Sequence, residues 1–321
     1  MRVVVLAGGR SSEREVSLRS GEAVARGLEE AGHEALRVTI GADGAWDVDG
    51  EPVELIPAAG LLGADAAFPA LHGPFGEDGS VQGLLEWLDV PYVGSDVLAS
   101  AVCMDKLTLK RLFAEAGIEQ VDFVEVGEPG WHERCAEMGL PLWVKPSRLG
   151  SSVGISRVDD LDELDEAVAA ARRHDPRTIV EAHASGREVE CSLLGNEQVE
   201  ASQPGEVVAH GDWYDYETKY RDGGMELAVP APIPDDQLDR VREQAIRAFQ
   251  LAGCAGLARC DFFVDPDGAV LVNELNTMPG FTETSVYAKL WEATGLDYPS
   301  LCDRLVQLAL ERHERSRAYE F

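Results

Sequence analysis

Asp261, Glu274 and Asn276, in the stretch DFFVDPDGAVLVNELN, are the residues whose spacing points most directly to chemistry. Glu274 and Asn276 are two residues apart, so on a strand they share one face. The PDG between the two apolar runs is a turn signal, and an antiparallel hairpin can bring Asp261 opposite them. Three oxygen ligands on one face suit a hard cation. So few protein ligands leave room for phosphate oxygens, which favours Mg²⁺ over Ca²⁺. Taken alone, the three are also ordinary polar positions on a solvated hairpin.

The second chemical feature is WVKPSRLGSSVGI at 143–155. An apolar strand ends in Lys145 and runs into a Ser/Arg/Gly loop, although the pattern G-x-x-x-x-G-K-[ST] is absent. The chain has only five lysines, Lys106, Lys110, Lys145, Lys219 and Lys289. Lys106 sits in MDK at the start of a helical stretch. Each lysine alone is more often a surface residue than a ligand. Two lysines, a Gly/Ser loop and paired carboxylates together suggest ATP held between two sheets, with Mg²⁺ bridging its phosphates.

These residues need elements to carry them. RVVVLAGG reads as a strand meeting glycines, followed by a helix that stops at Gly32 and by the strands EALRVTI and ADAAFPAL. Strand–helix–strand alternation predicts a wound parallel sheet. HGPFGEDG is then a loop and SVQGLLEWLD a helix. VLASAVCMDKLTLKRLFAEAG reads as one helical stretch, and the strands QVDFVEV, LPLWVK and VGISRV follow it. DDLDELDEAVAAARRH is a helix with acids in its first turn and bases in its last, as the helix dipole favours. The last third has the strands REVECSLLG and QVEA, a long irregular loop over 203–232, a helix over DDQLDRVREQAIRAFQLAG, the hairpin and two closing helices. No internal repeat or low-complexity tract interrupts this order.

Composition bounds the function. A chain of 321 residues is long for one core and predicts two or three domains. The balance of 58 acidic against 28 basic residues, −30 net, argues against a nucleic-acid partner and against an anionic membrane surface. The acids are spread along the chain and read as a highly soluble, acid-coated surface, which a salt-rich cytoplasm would make tolerable by screening. Cys103, Cys135, Cys191, Cys254, Cys260 and Cys302 form no C-x-x-C and no zinc spacing, and are read as buried reduced thiols. No signal peptide or membrane span is read, so the expected location is the cytoplasm.

The stretches AGGRSSEREVSL, LHGPFGEDG, VGSDVLASAVCMDK, VKPSRLGSSVGI, YDYETKY, LARCDF and LVNELNTMPGFT, in this order over nearly the whole chain, resemble the D-alanine–D-alanine ligases of the ATP-grasp superfamily. The resemblance implies an α/β protein of three-domain ATP-grasp architecture: a wound N-terminal domain, 1–95, and two α+β domains, 96–184 and 185–321, clamping the nucleotide. It implies that Lys106, Lys145, Ser151, Ser152, Asn273 and Glu274 serve ATP. Glu181 with Ala182, His183 and Ala184 resembles the segment that pairs with adenine, and Glu188 the acid on the ribose. Asp261, Glu274 and Asn276 would carry Mg²⁺ or Mn²⁺, with two ions. Glu13 resembles the acid that receives the first D-alanine's ammonium, with Ser151 and Tyr220 as its partners. Arg259 would hold that substrate's carboxylate and, with the Gly280 N–H, a developing oxyanion. Lys219 and Ser285 resemble the pair that grips the second carboxylate, and His72 lies where the family places a histidine near the substrates.

The implied reaction is ATP-dependent ligation of two D-alanines through an acyl phosphate, for peptidoglycan synthesis. The alternatives are a D-alanine–D-lactate or D-alanine–D-serine ligase, or a nucleotide-binding module without turnover. The loops at 148–154 and 205–224 are expected to act as a lid, and a homodimer is the family expectation.

Overall fold

The computed structural model describes residues 1–209 and 225–319. Near the N-terminus, β1 (Arg2–Gly8) pairs in parallel with β2 (Glu34–Ile40) on one side and with β5 (Ala66–Pro69) on the other. A hairpin absent from the sequence reading, β3 (Trp46–Val48) and β4 (Glu51–Pro52), extends the β2 edge, giving the order β4-β3-β2-β1-β5. Helix α1 (Arg14–Glu30) lies so close to this sheet that a Cβ on Gly21 would fall 2.4 Å from Ala7 Cβ. In the order β2-β1-β5 the strand order reverses at β1, the switch point outside whose carboxyl end wound sheets bind ligands.

Helix α2 (Ser80–Leu88) follows. The stretch read as one helix is two, α3 (Val97–Met104) and α4 (Lys106–Glu115). Asp105 separates them in an extended conformation, and its carboxylate accepts the Thr108 N–H. A second sheet, ordered β6-β9-β7-β8, is built from β6 (Phe123–Glu125), β7 (Leu142–Pro146), β8 (Ser156–Val158) and β9 (Thr178–Ala182), all antiparallel. Helices α5 (Trp131–Met138) and α6 (Leu164–Arg172) bury Cys135, Leu164 and Val168 against Leu142 and Val144 of β7. Strand alternation therefore turns Lys145 to the opposite face.

The third sheet holds β10 (Arg187–Gly195), β11 (Val199–Ala201), β12 (Gly205–Ala209), β13 (Met225–Ala228), β14 (Gly256–Val264) and β15 (Val270–Asn276). Its order is β13-β12-β10-β14-β15, with β11 paired to β10. The span read as an irregular loop thus begins and ends in paired strands. Helix α7 (Asp235–Leu251) packs Val241, Ala245 and Phe249 on Cys191, Cys260 and Phe262 of this sheet, and Leu109 and Phe113 of α4 join the same core.

After α8 (Val286–Thr294), the last helix α9 (Tyr298–Arg317) returns to the first sheet. It packs Leu301, Leu305 and Val306 with Val3, Val5 and Leu28. All six cysteines are unpaired and buried. Among the described residues no helix is long and apolar enough to cross a membrane.

Candidate active site

A cleft of about 730 Å³ is lined by β10, β14 and β15 of the third sheet, by α1 and the segment after β5, and by the loop between β7 and β8. Its N-terminal wall is Glu13, which immediately precedes α1 and is buried. Ser151, across the cleft, donates its hydroxyl to Glu13 Oε1. Gly73 backs the same carboxylate: its φ is +70°, a strained value for other residues, and a Cβ there would meet Glu13 Oε2 at 2.4 Å and push the carboxylate aside. His72 is buried and bridges α1 to the segment after β15. Its Nε2 is 2.9 Å from Ser20 Oγ and its Nδ1 3.0 Å from the Met278 carbonyl. Burial lowers its pKa, while the Glu13 charge opposes that shift.

Glu77, unassigned by sequence reasoning, shares this wall. It accepts the Gly73 N–H at 2.6 Å and the Met278 N–H at 3.2 Å. Burial, with the charge of Glu13, pushes its carboxyl up to about 8. Its only signal in the sequence was its place among the glycines of HGPFGEDG.

The nucleotide side is organised by Asp105 and Ser147. Ser147 Oγ donates to Asp105 at 2.8 Å and accepts the Leu107 N–H at 3.1 Å, tying the end of β7 to the start of α4. Lys106 stands at the first helical position, donates to the Leu149 carbonyl at 2.7 Å and lies 3.6 Å from Glu274. Lys145 Nζ is 2.5 Å from Glu181 Oε2, and although burial disfavours its charge, Glu181 raises its pKa on balance. In the loop that follows Lys145, Ser151, Ser152 and Gly154 all have positive φ.

Glu188 is exposed and lines the cleft, as does Asn273. Glu181 is placed otherwise. It is buried behind Lys145, its second oxygen 3.0 Å from Lys110 Nζ, and neither it nor Ala182, His183 and Ala184 is among the residues lining the cleft. His183 is exposed and accepts from Trp143 Nε1 at 3.3 Å.

On the third sheet the hairpin register sets Asp261 opposite Glu274 and Arg259 opposite Asn276. Asn276 Nδ2 is 3.1 Å from Asp261 Oδ2 and 3.4 Å from Glu274 Oε1, so the three side chains converge as their spacing suggested. Arg259 grips Asp261 through Nε and Nη2, both at 2.7 Å, and Glu190 through Nε at 2.8 Å. Burial opposes its charge, but the two carboxylates outweigh it and hold the guanidinium protonated. Glu190 was missed because REVECSLLG alone does not say which strand it faces. The register pairs it with Asp261.

Two carboxylates and an amide make a hard-cation donor set. Among the described residues no group of three or more His, Cys, Asp or Glu side chains forms a denser one. Gly280 and Ser285 close the cleft floor, where Ser285 Oγ accepts the Thr282 N–H at 3.0 Å. Lys219 and Tyr220 lie outside the described residues.

Residues 2–62 and 56–95 match the family model "D-ala D-ala ligase N-terminus", and residues 112–307 match "D-ala D-ala ligase C-terminus". A D-alanine–D-alanine ligase of Deinococcus radiodurans is 47% identical over 97% of this chain and 98% of its own. That of Solibacter usitatus is 42% identical over 100% and 99%. Among solved structures, a D-alanine–D-alanine ligase from Coxiella burnetii superposes with a TM-score of 0.90 at 35% identity, covering 99% of this chain and 96% of that one. The VanG D-Ala:D-Ser ligase of Enterococcus faecalis gives 0.86 at 33%, covering 96% and 99%.

Proposed function

The chain belongs to the D-alanine–D-alanine ligase family, and on that premise we propose how its cleft joins two D-alanines at the expense of ATP, as a step toward peptidoglycan. The observation that carries the reading is the convergence on one cleft of Glu13, Ser151, Arg259 and the Asp261/Glu274/Asn276 group, drawn from three separate sheets and their connections. The residues divide into three domains, 1–95, 96–184 and 185–321, with the nucleotide clamped between the second and third in ATP-grasp fashion.

A carboxylate is a poor acyl donor because its leaving group would be oxide. The first D-alanine sets its ammonium on Glu13 and its carboxylate toward Arg259. The carboxylate oxygen attacks the γ-phosphorus and ADP leaves, giving an acyl phosphate. An anion is then approaching a polyanion, so Lys106, Lys145 and Arg259 offset the repulsion. Asp261, Glu274 and Asn276 fit Mg²⁺ or Mn²⁺, with two ions, and the metal, when bound, supplies further neutralisation of phosphate charge.

The second D-alanine, its carboxylate on Lys219 and Ser285, attacks through its neutral amine. Arg259 and the Gly280 N–H stabilise the tetrahedral oxyanion, and phosphate departs as the dipeptide forms. Water would hydrolyse the acyl phosphate. The 148–154 loop, whose Ser151 already reaches Glu13, therefore works as a lid together with the 205–224 segment, part of which lies outside the described residues. His72 and Glu77 fix the wall behind the first substrate, and the family resemblance gives Tyr220 the third place beside Glu13 and Ser151. The enzyme acts in the cytoplasm as a homodimer, without a nucleic-acid or membrane partner.

The test is phosphate release with ATP against a panel of D- and L-amino acids, D-serine and D-lactate, with product identification. Release that depends on D-alanine and yields D-alanyl-D-alanine is the expected result. A D-serine-terminated product would move the chain toward D-Ala:D-Ser ligases such as VanG, and a D-lactate-terminated product toward a D-alanine–D-lactate ligase. Arg259→Lys keeps the charge but loses the planar fork, and should cost about 10²–10³ in turnover with little change in ATP affinity. Wild-type turnover in that variant would remove Arg259 from its role.

A further inference from the structure

Lys110 lies one turn beyond Lys106 on α4, so both ammoniums leave the same side of the helix. Lys106 lines the cleft, whereas Lys110 is 2% exposed. Its Nζ is 3.0 Å from Glu181 Oε1 and 5.6 Å from the centroid of the Phe123 ring. The other oxygen of Glu181 takes Lys145 Nζ at 2.5 Å. One buried carboxylate therefore carries two cations.

Desolvating an ammonium is costly, and buried ion pairs are seldom a net source of stability. A chain with five lysines that commits one wholly to this spot is better explained by the site than by folding. Lys145 faces two demands, Glu181 and the triphosphate. When it turns to the phosphates, Glu181 would be a buried anion with no cation unless another remains.

We propose that Lys110 is a positioning and specificity residue for the nucleotide. It keeps Glu181 ionised and fixed as an acceptor for the 6-amino group of the purine while Lys145 serves the phosphates. This rests on the reading of Glu181 to Ala184 as the base-pairing segment. An ionised carboxylate can only accept hydrogen bonds. It welcomes the amino group of adenine and repels the 6-oxygen of hypoxanthine or guanine. The charge balance agrees: burial would raise the Glu181 carboxyl, but Lys110 and Lys145 bring it down to about 2, while Lys110 itself is lowered by burial against the pull of Glu181.

Steady-state kinetics on Lys110→Met, with ATP and ITP varied at saturating D-alanine and D-alanine varied at saturating ATP, test this. The expected result is a KM for ATP raised roughly tenfold, a KM for D-alanine within about twofold, and an ATP-over-ITP preference reduced by roughly tenfold. An unchanged preference in the folded variant, or KM values for ATP and D-alanine that rise together, overturns the proposal. If Lys110→Met does not fold, Lys110→Gln carries the same comparison. Glu181→Gln separates the two layers of the argument. If it leaves the preference intact, Glu181 does not face the base and the underlying reading falls with the proposal. If it lowers the preference while the Lys110 variants do not, only the role of Lys110 falls.

Discussion

Glu181 shows what a single buried side chain contributes beyond its contacts. Its carboxyl sits at about 2 in the folded protein, against an ordinary value near 4.5, because Lys110 and Lys145 outweigh the cost of burial. A carboxylate with a depressed pKa lends stability that is fully present above its unfolded value and lost as pH falls through the folded one. Urea unfolding of the wild type and of Glu181→Gln should therefore differ in their pH dependence, with the wild type losing stability relative to the variant as pH falls from about 5 toward 2. A gap that stays constant over that range would mean Glu181 is not held by the lysines. The sequence made Glu181 legible only through its family resemblance. Lys110 was visible as one of few lysines, but nothing in MDKLTLK says that its side chain runs inward to a strand some 70 residues away. By contrast Asp261, Glu274 and Asn276 were legible from spacing alone, because one short turn fixes how their strands meet.

At the scale of elements, the break between α3 and α4 decides where Lys106 stands. Asp105 caps α4 by accepting the Thr108 N–H at 3.1 Å, and it also receives Ser147 Oγ at 2.8 Å and Arg177 Nη1 at 2.5 Å. The apolar periodicity of VLASAVCMDKLTLKRLF runs through this point, which is why the stretch reads as one helix. The cap was written in the sequence but outvoted by the pattern around it. The pair β12 and β13 was hidden for a different reason: GEVVA and MELA are short, and they pair across a wide separation in the chain rather than through a two-residue turn. The prediction at this scale is that Asp105→Ala destabilises the protein by about 1–3 kcal/mol, from a lost cap and from the buried Ser147 hydroxyl losing its acceptor. It should also raise the KM for ATP more than the KM for D-alanine, since Lys106 moves with the end of its helix. Asp105→Asn, which can still cap, should restore much of the stability. A stable Asp105→Ala variant with an unaltered KM for ATP would show that the helix start does not position Lys106.

Across the whole molecule, two features act together: the chain closes on itself, and it is strongly acidic. Helix α9 returns to β1 and α1, where His33 Nε2 meets Asp303 at 2.8 Å, so first and last elements share one core. The cleft is bounded by the third sheet and by segments connected to the other two, and any force that spreads the molecule opens it. The net charge of −30 is such a force, because the 28 basic residues cannot balance 58 acidic ones however they pair. Many of the ion pairs seen, such as Arg134 with Asp122, are exposed and contribute little on their own. What remains is a general repulsion, whose reach falls from ~30 Å at about 0.01 M salt to ~3 Å at about 1 M. Thermal stability should therefore rise as salt is added across that range, because screening relieves the whole surface faster than it weakens individual exposed pairs. The same series, read by phosphate release at saturating substrates, should show activity gained alongside stability, because the cleft is held by the same packing. Melting curves that stay flat from the lowest to the highest salt, in sodium and in potassium chloride alike, would mean that the acidic surface is already accommodated by the fold.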